Sequence, residues 1–204
     1  MKYSNITEPS GKKDIAIQGF RQNFKYFEHA STLISELFTL NEELQNYSKA
    51  VTSAYSGVRV GVHIRLGDLM EQRIINYGYV MAQADFYRQS MDYFVNKFSP
   101  QNVTFLALSD SINKAKELLA NLTHNIAYIE GGTMEQDFAT LIACDHIITS
   151  GGTFGFWAAW LNRGKVVYFS EYCRPNSTLA SKGYCRECFN LPQWIPMGNT
   201  ILSQ

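Results

Sequence analysis

Three groups of residues have types and spacings suited to binding a phosphate or a nucleotide. The first group is His63, Arg65, Gly67 and Asp68, which follow a run of β-branched residues. Arginine carries a permanent, forked charge that matches phosphate oxygens, and a glycine lets the backbone turn tightly. The alternative is that Arg65 is a surface residue paired with Asp68 on a loop.

The second group is residues 150–153, which contain Gly151 and Gly152 and precede a predicted helix. Two glycines let the chain approach a ligand, and the free amides of a helix start favour an anion. The alternative is a turn in which Thr153 is the N-cap, and the two interpretations are compatible. The segment is neither a Walker A loop nor a Gly-x-Gly-x-x-Gly motif.

Two carboxylates form the third group. Asp137 is expected near the start of a helix, where it could accept two N–H groups from a guanine edge. It could equally interact with the helix dipole, which the sequence alone favours. Asp110 has the same ambiguity, and we expect it, with Ser109, to cap the next helix.

The other polar residues suggest no further chemistry. We find no paired Glu residues or Asp-x-Asp for a metal, no nucleophile elbow and no Cys–His pair. His29 and His124 are predicted to be surface residues, and His146 is predicted to be structural. We therefore expect no metal and no cofactor.

The elements that position these groups alternate along the chain. Strands are predicted over residues 58–64, 103–108, 126–129, 146–149 and 166–169. Helices are predicted over residues 20–50, 83–98, 111–119 and 154–161, with a further helix starting at the capping box of Thr133 and Gln136. Alternating strands and helices indicate a Rossmann-like α/β fold with a parallel sheet, in which ligands lie at the carboxyl ends of the strands.

Length and composition indicate three regions in one globular chain. The 204 residues are 46% hydrophobic and 18% charged. We predict a helical N-terminal region over residues 1–56, an α/β domain over 57–170 and an irregular tail over 171–204. The 18 basic residues balance the 18 acidic ones, which disfavours a nucleic-acid partner. The oligomeric state does not follow from the sequence.

Cysteines and glycosylation sequons favour an oxidising compartment. Cys144 is expected in the core, and one disulfide is expected among Cys173, Cys185 and Cys188. A zinc site would need a second Cys-x-x-Cys pair or a nearby histidine pair. Five Asn-x-Ser/Thr sequons are present, an excess over chance, at Asn5, Asn46, Asn102, Asn121 and Asn176. The first 19 residues are polar and predict no signal peptide, and no apolar run predicts a membrane anchor.

Several segments resemble a known family in the same order. Residues 61–68 (GVHIRLGD) resemble the His-Val-Arg-Arg-Gly-Asp motif of the galactoside α-1,2-fucosyltransferases, glycosyltransferase family 11. Residues 153–161 (TFGFWAAWL) resemble its Thr-Phe-Gly-x-Trp-Ala-Ala-Tyr/Trp-Leu segment, and residues 137–146 (DFATLIACDH) its Asp-Phe-Ala-Leu-Leu-x-x-Cys-x-His run. With residues 31–44, 86–94 and 191–194, the resemblance extends over roughly residues 18–196.

The resemblance implies a fold, a reaction and a location. The fold would be the nucleotide-binding half of a GT-B-like glycosyltransferase. The reaction would be metal-independent, inverting transfer of L-fucose from GDP-β-L-fucose to the 2-hydroxyl of a galactose-containing glycan. The location would be the Golgi lumen or membrane.

The resemblance also implies roles for individual residues. Arg65 would bind the β-phosphate, and His63 and Asp137 would approach the guanosine. The diphosphate would be enclosed by a group at the start of the following helix: Gly152, Thr153, Phe154 and Gly155. Asp68 and His63 are the candidates for the base that activates the acceptor, unless they orient other groups.

Two departures from the family pattern leave alternatives open. Leu66 stands where many relatives have a second arginine. Only 62 residues precede His63, and they contain no Gly-Asn-Gln-like stretch of the acceptor-side region. The chain could therefore be a truncated or degenerate copy that binds GDP-sugar without transfer. A lectin-like or purely structural glycoprotein would instead have no affinity for GDP.

Overall fold

The protein is built around a parallel sheet, which a computed structural model describes together with its helices over residues 23–199. Six strands lie in the order β3-β2-β1-β4-β5-β6, and all neighbours are parallel. They are β1 Val58–Ile64, β2 Val103–Ser109, β3 Ile126–Tyr128, β4 His146–Thr149, β5 Val166–Phe169 and β6 Ile195–Met197. The predicted Rossmann-like α/β class is confirmed, because parallel strands joined through helices define it.

Helices cover both faces of this sheet. They are α1 Ser31–Leu37, α2 Glu42–Ser53, α3 Gln72–Tyr77, α4 Ala84–Phe98, α5 Ile112–Leu119, α6 Met134–Ala143, α7 Gly152–Asn162, α8 Thr178–Ser181 and α9 Arg186–Phe189. Side chains of α4 and α5 pack on one face of the sheet, and side chains of α6 and α7 pack on the other. None of the helices in this part of the chain is long and apolar enough to cross a membrane.

The strands are apolar along their whole length because both faces are covered. In β1, Val60 and Val62 are fully buried on the α4 face. Gly61 lies between them on the other face, where a side chain would meet Leu141 and Cys144 of the α6 region. Continuous burial of this kind is typical of central parallel strands, and it explains why β-branched runs predicted the strands well.

The N-terminal helical region is more broken than predicted. The helix expected over residues 20–50 is two helices, since α1 ends at Leu37 and α2 begins after Asn41, whose side chain accepts a hydrogen bond from the Leu44 amide at 2.9 Å. Leu33 and Leu37 are 56% and 74% exposed, so the apolar pattern of α1 does not face the described core. The first three residues of the predicted helix, 20–22, lie outside the residues that the structure describes.

The prediction of an irregular tail is wrong at its end. Residues Ile195–Met197 form β6, which extends the sheet beside β5. Pro196 hid this strand from sequence analysis, because proline is tolerated only at sheet edges, where β6 lies. The tail also contains the disulfide Cys185–Cys188, which matches the expectation for the late cysteines. Cys144 is buried, as predicted.

Three histidine predictions have different outcomes. His146 stacks on Phe98 with ring centres 4.7 Å apart, which confirms a structural role. His29 is exposed, as expected. The surface assignment of His124 is wrong, because its side chain is only 11% exposed and its Nε2 atom lies 2.9 Å from the Asp92 carboxylate. This long-range pairing has no signature in the local sequence.

Candidate functional site

The first two predicted groups meet where β1 and β4 end. His63 is the register partner of Thr149 in these adjacent parallel strands. The amide of Ser150 donates to the His63 carbonyl at 3.2 Å, and the Ser150 hydroxyl accepts from the Arg65 amide at 2.9 Å. The sheet therefore brings the arginine segment and the glycine turn side by side, as expected for carboxyl strand ends.

The guanidinium of Arg65 is held by two partners. It donates to both carboxylate oxygens of Asp68, at 3.1 and 2.7 Å, and to the hydroxyl of Tyr172 at 3.1 Å. Arginine has five N–H donors, so among residues 23–199 these three bonds leave one N–H on Nη1 and one on Nη2 for a ligand. The pairing with Asp68 and a phosphate-binding role are thus compatible.

Tyr172 is a site residue that sequence analysis missed. It follows β5 by three positions, at the same edge of the sheet as the other strand ends. Burial raises the pKa of Tyr172 to about 12, so its hydroxyl stays protonated at neutral pH. The strand-end rule that selected the other residues would have found it if aromatic side chains had been considered.

The glycine turn packs directly against the arginine. Gly151 and Gly152 have φ of +107° and +82°, values that side-chain-bearing residues rarely adopt. A Cβ atom on Gly152 would collide with Nη1 of Arg65. The predicted N-cap at Thr153 is wrong, because α7 begins at Gly152 and its N-cap is Gly151. The two glycines with positive φ therefore let the helix start two residues earlier than predicted, beside Arg65.

His63 is buried beneath the start of α7. Its Nδ1 atom lies 3.3 Å from the hydroxyl of Thr149, and its ring is 5.6 Å from that of Phe154. Gly155 makes this packing possible, since a side chain there would overlap His63 and Thr149. Burial lowers the pKa of His63 to about 4, so the imidazole is neutral at physiological pH.

Asp110 does not cap a helix, contrary to the prediction. Its Oδ1 atom accepts hydrogen bonds from the amides of Leu66 and Gly67, at 3.0 and 3.2 Å. Ser109 accepts from the amide of Ser111 instead, and α5 has no side-chain cap. Asp110 reaches the arginine loop because β2 ends beside β1, and it fixes the backbone next to Arg65.

Asp137 lies in the first turn of α6, as predicted. Its side chain is half-buried and lines a cavity, and burial raises the pKa of its carboxyl group. Within residues 23–199 its carboxylate accepts no hydrogen bond. With respect to this part of the chain, both oxygens are available to N–H donors of a ligand in the cavity. An interaction with the helix dipole alone would not explain why the carboxylate lines a cavity.

Two neighbouring cavities share Arg65 and Gly152. The first, here called the histidine cavity, has a volume of about 400 Å³. Its lining contains five predicted site residues: His63, Arg65, Asp137, Gly152 and Phe154. The second, here called the tyrosine cavity, has a volume of about 330 Å³. It is lined by Arg65, Gly152 and Thr153 together with Tyr77, Tyr79, Tyr172, Lys182 and Tyr184.

Two predicted site residues, Asp68 and Gly155, line neither cavity but contact residues that do. Asp68 accepts a hydrogen bond from the Arg65 guanidinium, and Gly155 packs against the His63 ring. A larger cavity of about 650 Å³ lies at the far end of α7 beside Trp160 and Arg163, and contains none of the predicted residues. Over residues 23–199, no cluster of three or more His, Cys, Asp or Glu side chains is arranged to hold a metal ion.

Comparisons with known proteins agree with the resemblance found in the sequence. The chain is 29% identical to galactoside alpha-(1,2)-fucosyltransferase 1 of Pan troglodytes over an alignment of 213 positions, gaps included, which covers 99% of this chain and 56% of that protein. It is also 29% identical to the Homo sapiens protein of the same name over an alignment of 205 positions, gaps included, which covers 95% of this chain and 54% of that protein. The chain thus spans about half the length of the curated relatives it matches.

Solved structures and the family sequence model complete the comparison. The E. coli ADP-heptose lps heptosyltransferase II aligns with a TM-score of 0.47 and 14% identity, over 81% of this chain and 45% of that one. The sequence model of glycosyl transferase family 11 matches residues 5–197. This match extends through the whole sheet and all three predicted groups, so the chain belongs to glycosyl transferase family 11.

Proposed function

We propose that this chain contains the donor-binding half of an inverting fucosyltransferase and itself transfers L-fucose from GDP-β-L-fucose to the 2-hydroxyl of a galactose-containing glycan. The observation that carries the proposal is that Arg65 and the start of α7 line one cavity. Family membership and the names of the curated relatives support the choice of reaction. A Golgi location, implied by the resemblance, is part of the same proposal.

In this proposal the diphosphate lies over Arg65 and Gly152. Cleavage of the anomeric C–O bond leaves negative charge on the departing GDP. The two remaining N–H donors of Arg65, with the amides at the positive end of α7, stabilise that charge. These groups take the part that a divalent cation plays in other transferases. They are already fixed before the reaction, so no reorganisation is needed.

The nucleoside occupies the histidine cavity in this arrangement. Asp137 accepts the two N–H donors of the guanine edge with its carboxylate oxygens, which have no hydrogen-bond donor among residues 23–199. Phe154 provides an aromatic wall, which is itself supported edge-on by Phe138 with ring centres 5.2 Å apart. His63 is neutral and buried beneath Phe154. Thr153 completes the turn beside the diphosphate, and Gly155 leaves the space that the His63 ring occupies.

We assign Asp68 and His63 to positioning, not to proton transfer from the acceptor. Both carboxylate oxygens of Asp68 accept from Arg65, and these hydrogen bonds hold the pKa of Asp68 below its usual value. Such a carboxylate is a weak base. His63 is 7% exposed and contacts Thr149, so it orients the start of α7.

The test measures GDP binding and fucosyl transfer by the same protein samples. GDP should raise the melting temperature more than ADP does, because Asp137 selects guanine. Radiolabelled fucose should be transferred to galactosides, and Arg65→Ala and Arg65→Lys should each reduce the rate about 100-fold, or about 3 kcal/mol. Arg73→Ala is the matched control, because the Arg73 side chain is 73% exposed and lies outside both cavities.

Each failure has a separate meaning. Full activity of both Arg65 variants would refute the phosphate assignment. GDP binding without transfer to any galactoside would favour the alternative, a copy that binds GDP-sugar without catalysis. Absence of GDP binding would favour a lectin-like or structural protein.

A further inference from the structure

The tyrosine cavity is a second concave site, and the roles proposed above assign neither the nucleoside nor the diphosphate to its tyrosine side chains. Its tyrosine rings form a continuous wall. Tyr77 and Tyr79 are stacked with ring centres 6.0 Å apart, and Tyr79 meets Tyr172 edge-on at 5.3 Å. Tyr184 follows Tyr172 at 6.2 Å. The cavity volume of about 330 Å³ is within the range of roughly 300–1,000 Å³ for small-molecule sites.

The lining combines flat apolar surfaces with hydrogen-bonding groups. The rings bury apolar area with little conformational freedom to lose, while their hydroxyls remain polar. Lys182 adds an ammonium group to the lining, and Thr153 adds a hydroxyl. A pyranose ring has the complementary surface, since it presents C–H bonds on its faces and hydroxyl groups around its edge.

The lining also discriminates against the nucleobase. A guanine edge presents N–H donors and needs acceptors such as a carboxylate, which the histidine cavity supplies with Asp137. Among the described residues, the lining of the tyrosine cavity contains no Asp or Glu. Its polar groups are hydroxyls, an ammonium and the Arg65 guanidinium, which suit the oxygen atoms of a sugar.

Arg65 lies between the two cavities, so a ligand bound to it can extend into both. Arg65 and Gly152 line both, so a diphosphate over them would have one end directed to each cavity. A nucleotide sugar has the same linear order: nucleoside, diphosphate and sugar. Tyr172 connects the two parts, because its hydroxyl accepts from Arg65 and its ring belongs to the tyrosine wall.

We propose that the tyrosine cavity is a carbohydrate subsite that binds a pyranose ring on the wall of Tyr77, Tyr79 and Tyr184, next to the diphosphate on Arg65. This inference rests on the proposed function, because the diphosphate position is taken from it. The shared chemistry is a pyranose, which could be the fucosyl group of the donor or the galactose of the acceptor. The test separates these two sources.

The experiment compares ligands that differ only in the sugar. Calorimetric titrations of GDP and GDP-fucose are made on the parent chain, Tyr77→Ala and Tyr79→Leu. A third titration adds methyl β-galactoside to the GDP-saturated protein. We expect unchanged affinity for GDP and roughly tenfold weaker binding of one sugar ligand, the loss expected for a stacked aromatic ring. Tyr93→Ala is the matched control, a half-buried tyrosine on α4 outside both cavities.

The outcomes distinguish this inference from the proposed function. A selective loss for GDP-fucose assigns the subsite to the donor sugar, and a selective loss for the galactoside assigns it to the acceptor. Equal losses for GDP and GDP-fucose would overturn the inference, because the cavity would then hold the nucleoside. The inference would also be overturned if the parent chain binds GDP but the Tyr77 and Tyr79 variants bind every ligand as tightly as the parent does. Absence of GDP binding by the parent chain would instead refute the proposed function, and this inference with it.

Discussion

Arg65 donates a hydrogen bond from Nη1 to the hydroxyl of Tyr172 at 3.1 Å, although the two residues are 107 positions apart in the sequence. The bond connects the loop after β1 to the loop after β5. Together with the two hydrogen bonds to Asp68, it fixes the plane of the guanidinium. The two N–H donors that remain are therefore presented in one defined direction.

The first prediction concerns Tyr172→Phe, which removes this hydrogen bond and keeps the ring. Affinity for GDP should fall roughly two- to tenfold, because a typical hydrogen bond contributes about 0.5–1.5 kcal/mol. Isothermal titration calorimetry with GDP measures the change. Tyr93→Phe, which alters a tyrosine outside both cavities, should have no effect, and an equal loss in that variant would contradict the explanation.

The second prediction concerns Gly152→Ala. The new methyl group would overlap Nη1 of Arg65 at a backbone φ of +82°, so we expect at least about tenfold weaker GDP binding and a lower melting temperature. Gly131→Ala is the control, because Gly131 has φ +80° but no atom within 4 Å of the added carbon. If both variants lost GDP affinity equally, backbone strain alone would account for the effect.

The third prediction assigns a structural role to Asp110. Asp110→Ala leaves the amides of Leu66 and Gly67 without their acceptor, and should lower the free energy of unfolding by about 1–3 kcal/mol. Asp110→Asn keeps one acceptor oxygen and should lose less. Urea denaturation measures both. Asp85→Ala, which removes a surface ion pair and the acidic charge in the first turn of α4, should cost about 1 kcal/mol or less. A loss as large as that of Asp110→Ala would contradict the structural role.

The fourth prediction tests the base specificity of Asp137. Asp137→Asn replaces one acceptor oxygen with a donor, so the ratio of GDP to ADP affinity should fall by roughly tenfold or more. Glu135→Gln removes the same charge from the same first turn of α6 at an exposed position. It should leave the ratio unchanged, because it alters the helix dipole interaction but not the cavity. Retained preference for GDP in Asp137→Asn would refute the guanine assignment.

The fifth prediction is a pH dependence of stability caused by His63. Burial lowers its pKa in the folded state from 6.5 to about 4, so folding favours the neutral imidazole. The stabilisation is complete above pH 6.5 and is lost as the pH falls towards 4. Burial also lowers the pKa of His146, so this residue likewise makes the folded state less stable as the pH falls.

A comparison of variants isolates the contribution of His63. The difference in unfolding free energy between pH 7 and pH 5 should be smaller in His63→Gln than in the parent chain, by on the order of 1–2 kcal/mol. Urea titrations at both pH values give this difference. An unchanged pH dependence would show that folding does not lower the pKa of His63.

The local sequence was enough to predict five of the six described strands and several residues of the candidate site. The β-branched runs gave β1 to β5 because a parallel strand covered on both faces must be apolar throughout. Arg65, Asp137 and the paired glycines were recognisable because they follow predicted strands or start predicted helices, and parallel strand ends meet at one edge. The capping box of Thr133 and Gln136 was likewise a local signal, and both of its hydrogen bonds are present.

Tertiary structure decided what these residues contact. Asp110 has the sequence features of a helix cap, but it binds amides 44 and 43 positions away because β2 lies beside β1. Tyr172 joins the site, and Pro196 enters a strand, only because β5 and β6 complete the sheet. Short-range patterns specify which elements form, since helix and strand periodicity depend on neighbouring residues. The partners of a side chain depend on how distant elements pack, which no local pattern encodes.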